Sequence, residues 1–458
     1  MSSITERGFL EVPFEGARSG EFPLTWGQLW VWNSVTTRAP HYADLSGSYV
    51  LPVPDGRDQA AVSDALSGML NKYETFRSRY SMAPDGTLRQ AVAARGELRV
   101  EVRVVDAIDA RSTASGVKDE FNNLPFTLPE LSLRAAVIVA DGVPRFVVLC
   151  TFHMAMDCHG MVSVLDDFRA LLHGQAISST RSEPAEVLHP VDRAVAERGP
   201  EGVKRSARGV QFWERELAKF PEDLLPYTGR RPESPRYQTF AMYSSAVRAV
   251  SSELAERLGV STSSVILAMA ASLLGRRSGS GTCGVVLAAS HRYDPESMRY
   301  PGTLVQGVPV ALDISEDAPE KLISRCHRGT MLAALAGHCN PDEVAGMLRG
   351  RYGAEAAEAR LACVVNLNLP AAADPADQGG TRTTQAEAEG LAARTRCEFL
   401  EGTPVENERF YLAAHGDATD FFITLRADTA VIAPTEIVGF LLDLERSLID
   451  CLPNSVER

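Results

Sequence analysis

Two rhythms of apolar and polar positions exchange along the chain. From Asp58 the stretch DQAAVSDALSGMLNKYETFRSRY places Ala61, Val62, Ala65, Leu66, Met69, Leu70 and Tyr73 at spacings of three and four. That spacing predicts one apolar helix face. Leu98, Val100, Val102 and Val104 alternate with polar residues, which predicts a half-buried strand. LSLRAAVIVADGVPRFVVLCTFH (131–153) reads as two strands joined around Asp141-Gly142. Its second arm, Phe146 to Phe152, is apolar with almost no alternation, so it is expected to be covered on both faces.

SSELAERLGVSTSSVILAMAASLLGRRSG reads as a helix stopped by Gly259, then a longer helix that ends in RRSGSGTCG. GVVLAAS, VQGVPVALDI, LACVVNLNLP and FFITLRADTAVI are later strand patterns, and Pro434 opens a terminal helix. Helices and strands mixed throughout predict an α/β (α+β) fold. The chain, at 458 residues, is too long for one ordinary domain. The polar stretch from Ala176 to Gly209, with room for helix inside it, is the expected boundary; VQFWERELAKF follows as a helix, and 370–390 is expected to be a mobile loop.

Composition narrows the function. A net charge of −13 argues against non-specific binding to nucleic acid or anionic membrane, which needs basic surface. The N-terminus lacks the apolar core of a signal peptide, and SSVILAMAASLLGRR falls short of the roughly 20 apolar residues of a membrane span. The eight cysteines are scattered, with no C-x-x-C pair, as expected of reduced thiols in a cytoplasmic protein.

Chemistry concentrates in TFHMAMDCHGMVSVLDDF (151–168), directly after the apolar strand. His153 and Asp157 form H-x-x-x-D. An imidazole at a strand tip can face a cleft and take a proton near neutral pH. A second such match, His338 to Asp342, follows no buried strand. Three other readings stand beside the base. His153, Asp157 and His159 are zinc-type ligands, but they lack a known metal spacing. Cys158 next to His159 has the composition of a thiol and its base, although sequence neighbours usually point apart. Ordinary packing is the fourth reading.

The stretch resembles the HHxxxDG motif of the condensation domains of nonribosomal peptide synthesis, whose superfamily includes chloramphenicol acetyltransferase. Further segments match in order: FPLTWGQLWVW (22–32), LNKYETFRSRY (70–80), FTLPELSLRAAVIV (126–139), VQFWERELAKF, and VVLAASHRYDPESMRYPGTLVQGVPVAL (285–312). Four positions depart from the pattern. Phe152 stands for the first histidine, Cys158 for the glycine with Gly160 two residues on, Gln306 for a common asparagine, and His291 for a small residue.

The resemblance implies two chloramphenicol acetyltransferase-like lobes, 1–180 and 181–458, forming a V-shaped pseudo-dimer with a central tunnel. It implies a free-standing, cytoplasmic condensation enzyme of specialised-metabolite or antibiotic biosynthesis. Such an enzyme joins an acyl or aminoacyl thioester to an amine or alcohol. The donor is carried by phosphopantetheine, on an acyl or peptidyl carrier protein or on CoA, and no bound cofactor or metal is needed. By the same resemblance His153 is the general base or positions the acceptor nucleophile, and Asp157, its partner in the motif, is structural, paired with Arg292 across the lobes and supported by Gly160. Ser290 or Gln306 would donate to the oxyanion, and Trp26, Phe152 and His159 would shape the tunnel wall. KRSARG and GRRPESPR are candidate basic patches for a carrier. An acyl-CoA-dependent O- or N-acyltransferase and an inactive module that recruits a partner protein are the other functions it leaves open.

Overall fold

The structure is a computed structural model that describes residues 4–38, 45–176, 187–315, 318–367, 383–416 and 421–453. In chain order the first elements are β1 (Ile4–Glu15), β2 (Gly20–Pro23), α1 (Trp26–Arg38), β3 (Ser46–Pro52), α2 (Gln59–Lys72), β4 (Ser78–Met82), β5 (Leu88–Val92), β6 (Arg95–Val105), α3 (Ala110–Asn123), β7 (Leu133–Ala140), β8 (Val143–Phe152), α4 (Cys158–Leu172), α5 (Pro190–Arg198) and α6 (Pro200–Leu217). There follow β9 (Tyr237–Tyr243), α7 (Ser245–Leu258), α8 (Thr262–Ser278), β10 (Thr282–Ala289), α9 (Pro295–Arg299), β11 (Gln306–Asp313), α10 (Pro319–Ala336), α11 (Pro341–Tyr352), α12 (Ala354–Leu361), β12 (Cys363–Asn366), α13 (Gln385–Ala392), β13 (Arg396–Thr403), β14 (Phe410–Gly416), β15 (Phe421–Asp428) and α14 (Pro434–Ile449).

Two compact units result. The first holds residues 1–204 and Ser290–Val305; the second holds Arg205–Ala289 and 306–458. The sequence expectation divided the chain once, at 180/181. The chain instead crosses three times, because the segment between β10 and β11 packs with the first unit.

In the first unit five strands run in the order β1-β6-β7-β8-β3. Apolar residues of α2 and α4 cover one face; those of α3 cover the other. Strand β8, flanked by β7 and β3, is therefore buried from Val147 to Phe152, which explains its unalternating sequence. Its hairpin with β7 turns at Asp141 and Gly142, both left-handed (φ 53° and 72°), as a two-residue primed turn requires. Asp58 caps α2 by accepting from Ala61 N at 2.8 Å, and Val62, Ala65, Leu66, Met69 and Leu70 form the buried face.

In the second unit the strand order is β11-β10-β12-β14-β15-β9-β13. Helix α7 ends at Gly259 in the left-handed region (φ 63°), and Ser261 caps α8. Val265 to Ala271 and Leu274 of α8 lie in the core of this unit. Among the described residues no single helix is long and apolar enough to cross a membrane.

The boundary stretch has the room for helix that the sequence left it, and the expected loop needs correction at its end. Beyond Leu188 the polar stretch is helical, and α6 begins at Pro200, well before VQFW. Its buried face there is made of Gly202, Ser206 and Gly209, so close packing of small residues leaves no apolar period to read. Of the expected mobile loop, 370–382 lies outside the described residues. Residues 385–390 belong to α13, which Thr384 caps in a reciprocal box with Glu387.

Candidate active site

His153 begins the turn that links β8 to α4, and the rest of the unit holds the backbone of that turn. The His153 N–H donates to Leu45 O at 2.8 Å. The Thr303 hydroxyl donates to the His153 carbonyl. Ala155 N and Met156 N donate to Phe152 O at 2.9 and 3.2 Å, and Thr75 Oγ1 donates to Ala155 O at 2.9 Å. With the main chain so fixed, the imidazole retains only its two side-chain torsions. The residue is half-buried. Its Nδ1 is buried and has no hydrogen-bond partner among the described residues, so no carboxylate orients the ring in the manner of a triad.

Asp157 is instead committed elsewhere. It is the N-cap of α4, and its Oδ1 accepts from Gly160 N at 2.7 Å. The same oxygen accepts from Arg292 Nη2 at 2.7 Å, while Oδ2 accepts from Leu304 N at 2.8 Å. The two side chains are only 1% and 5% exposed, for Arg292 and Asp157 respectively. A carboxylate so far from water needs a cation and several donors, and it has both. Arg292 completes its own set on the carbonyls of Ser297, Tyr300 and Gly302 at 2.6–2.8 Å. The pair was expected across the lobes; it lies within the first unit, to which residues 290–305 belong.

Gly160 is required by space. A Cβ there would sit 2.7 Å from Met156 Sδ, 2.8 Å from Gly302 O and 2.9 Å from Arg292 Nη2. His159 is half-buried in the first turn of α4; desolvation lowers its pKa, Asp157 opposes that shift and Arg292 adds to it. Cys158 is exposed, yet its thiol is pushed up, first by desolvation and then by the Asp157 carboxylate. Tyr49 lies beside both, and burial raises its phenol. The side chain that meets the thiol is the Tyr49 phenol and not the His159 imidazole, so the cysteine reading gains no support from its neighbours. Among the described residues no three His, Cys, Asp or Glu side chains come together to hold an ion.

The remaining candidates are placed as follows. Phe152 is 3% exposed, stacked on Phe126 (5.3 Å, 14°) and edge-on to Tyr80 (5.8 Å, 81°), so it packs in the core of the first unit. Trp26 is likewise buried, at the start of α1, and its backbone N–H donates to Glu197 Oε2 at 2.7 Å. Ser290 is half-buried and opens the inserted segment. Gln306 lies in the second unit and is 2% exposed; its amide donates to Cys339 O at 3.0 Å and accepts from Cys339 N at 3.3 Å. Its carbonyl and one N–H are thereby engaged, which argues against an oxyanion donor. His291 is buried with φ 52° and packs edge-on to Tyr293. The contacts of Thr303, Leu304 N and Thr75 were missed in the sequence; Thr303 and Leu304 sit inside the matched segment, but nothing local marks a partner 150 residues away.

The family model for the condensation domain matches residues 18–335. Over 162 residues, 34% of this chain, the sequence is 24% identical to one of the proteins that make up linear gramicidin synthase in Brevibacillus parabrevis, and it spans 3% of that protein's length. The fold is similar to the condensation domain that mediates chain release from the enacyloxin polyketide synthase, with a TM-score of 0.73 at 18% identity, over 96% of this chain and 84% of that one. It is also similar to the X-domain solved in complex with OxyB from teicoplanin biosynthesis, with a TM-score of 0.64 at 18% identity, over 95% and 94% of the two chains. The match of the family model over more than half of this chain, with an H-x-x-x-D turn clamped by an arginine, makes it a member of the condensation-domain family.

Proposed function

We propose that this chain forms an amide or ester bond between a thioester donor and an amine or alcohol acceptor, with His153 at the reacting centre. The donor in this reading is an acyl or aminoacyl group on the phosphopantetheine arm of a carrier protein. The acceptor attacks the thioester carbonyl and gives up its proton to His153. The C–N or C–O bond forms, the C–S bond breaks, and the thiol leaves with a proton.

One observation carries the reading: a half-buried imidazole whose backbone is pinned on both sides while its Nδ1 has no partner among the described residues. An unpartnered ring nitrogen occurs at His189 as well, so what singles out His153 is its pinned place at the tip of β8 within the matched H-x-x-x-D turn. Without an orienting carboxylate, catalysis rests on holding two reactants together as well as on proton transfer. Phe152 does not weaken the reading, because its ring belongs to the core and leaves the His153 side chain untouched. The Asp157–Arg292 pair supports it as a brace for the turn, with no proton role for either residue.

The test offers candidate carriers and acyl-CoA, each loaded with acyl or aminoacyl groups, together with amine and alcohol acceptors. Intact-mass spectrometry reads loss of the acyl group from the donor and its appearance on the acceptor. His153→Ala is expected to lower the rate about 10²–10⁴-fold. Transfer from acyl-CoA alone would move the donor to CoA. A variant that binds a partner protein as before, in a chain that transfers no acyl group, would favour a recruiting module, a role in keeping with the X-domain's complex with OxyB.

A further inference from the structure

Resting on that reading, we infer that Thr303 is a positioning residue for His153, and that its hydroxyl holds the backbone from which the imidazole is presented. Thr303 is 1% exposed. A buried hydroxyl must donate to something, and here it donates to the carbonyl of the residue that bears the proposed base. The next residue repeats the arrangement, since Leu304 N donates to Asp157 Oδ2. The dipeptide 303–304 thus grips both ends of H-x-x-x-D, one by a side chain and one by the backbone.

Thr303 cannot retreat from this contact. On its other side the first turn of α1 presses against it: a Cβ on residue 27 would lie 2.2 Å from Thr303 O, and only glycine fits. On the preceding residue, Gly302 O is held by Arg292 at 2.8 Å. The hydroxyl is therefore delivered by a backbone fixed at residues 302 and 304. On the His153 side, the N–H is already bound to Leu45 O. Removing the Thr303 donor frees the carbonyl, and with it the peptide plane between His153 and Met154, so the backbone that presents the Cα–Cβ bond of His153 is held less tightly.

Thr303→Val keeps the shape and removes the donor; Thr303→Ser keeps the donor. The Val variant is expected to lose about 10–100-fold in kcat with KM within about twofold, because misplacement by a fraction of an ångström costs turnover more than binding. The limb of the pH–rate profile that reports the base should shift with it. An independent readout is ethoxycarbonylation of His153 by diethyl pyrocarbonate, followed by peptide mass spectrometry: the Val variant should label at a rate several-fold different from the parent. Thr303→Ser should restore all three. A Val variant with parental kcat, pH profile and labelling would overturn the inference, as would a Ser variant as impaired as Val. Should Val fail to fold, Thr303→Ala carries the same expectation. If the parent chain transfers no acyl group at all, the labelling still decides the clamp, so the two readings fail separately.

Discussion

At the residue scale, the chemistry of the turn depends on what small residues leave open. Gly160 is the sharpest case. Gly160→Ala would drive a methyl group against Met156 Sδ, Gly302 O and the Arg292 guanidinium, all within 2.9 Å. Overpacking of this kind is expected to cost about 1–3 kcal/mol in urea denaturation. It should also slow acyl transfer, because the group displaced is the one that holds Asp157. The sequence marked His153 through its place at the tip of an apolar strand, and it marked Arg292 through the matched segment 285–312. It could not mark Gln306 as engaged. A glutamine beside a strand looks the same whether its amide meets a substrate or, as here, the backbone of Cys339.

At the element scale, strand β8, helix α4 and the segment 290–305 act through one ion pair. Arg292→Met leaves the Asp157 carboxylate buried without its cation, and the expected loss is about 3–5 kcal/mol in a denaturant titration. The double variant Asp157→Leu with Arg292→Met should cost less than the sum of the two single changes, since neither charge is then stranded. Strands β7 and β8 and helices α2, α7 and α8 were legible because apolar period, caps and turn residues agreed. The second half of α6 was legible in VQFWERELAKF; its first half was hidden because the inner face there is Gly202, Ser206 and Gly209, a packing surface that hydropathy does not register. The same holds for α13, whose signal is its cap.

At the scale of the whole molecule, stability should depend on pH through His189. This half-buried residue caps α5, and desolvation lowers its pKa from 6.5 to about 4. Asp192 opposes that shift, whereas Arg18 and Arg77 reinforce it. Below 6.5 the unfolded chain binds a proton that the folded chain refuses, so this group's share of stability is lost as pH falls from about 6.5 to about 4. Comparing urea midpoints of the parent and His189→Gln across that window should show a shallower decline in the variant. The division of the chain sets a further expectation. A fragment of residues 1–204 lacks Arg292, Thr303 and Leu304 N, the partners of Asp157 and His153. Expressed alone, it should unfold at lower denaturant than the parent or fail to stay in solution. The three crossings also bear on recombination between relatives. A chimera that exchanges residues 1–204 alone would seat one parent's turn in the other parent's clasp. Such hybrids should inherit activity only when 290–305 travels with the first block, so the transferable cassette is two stretches of gene and not one.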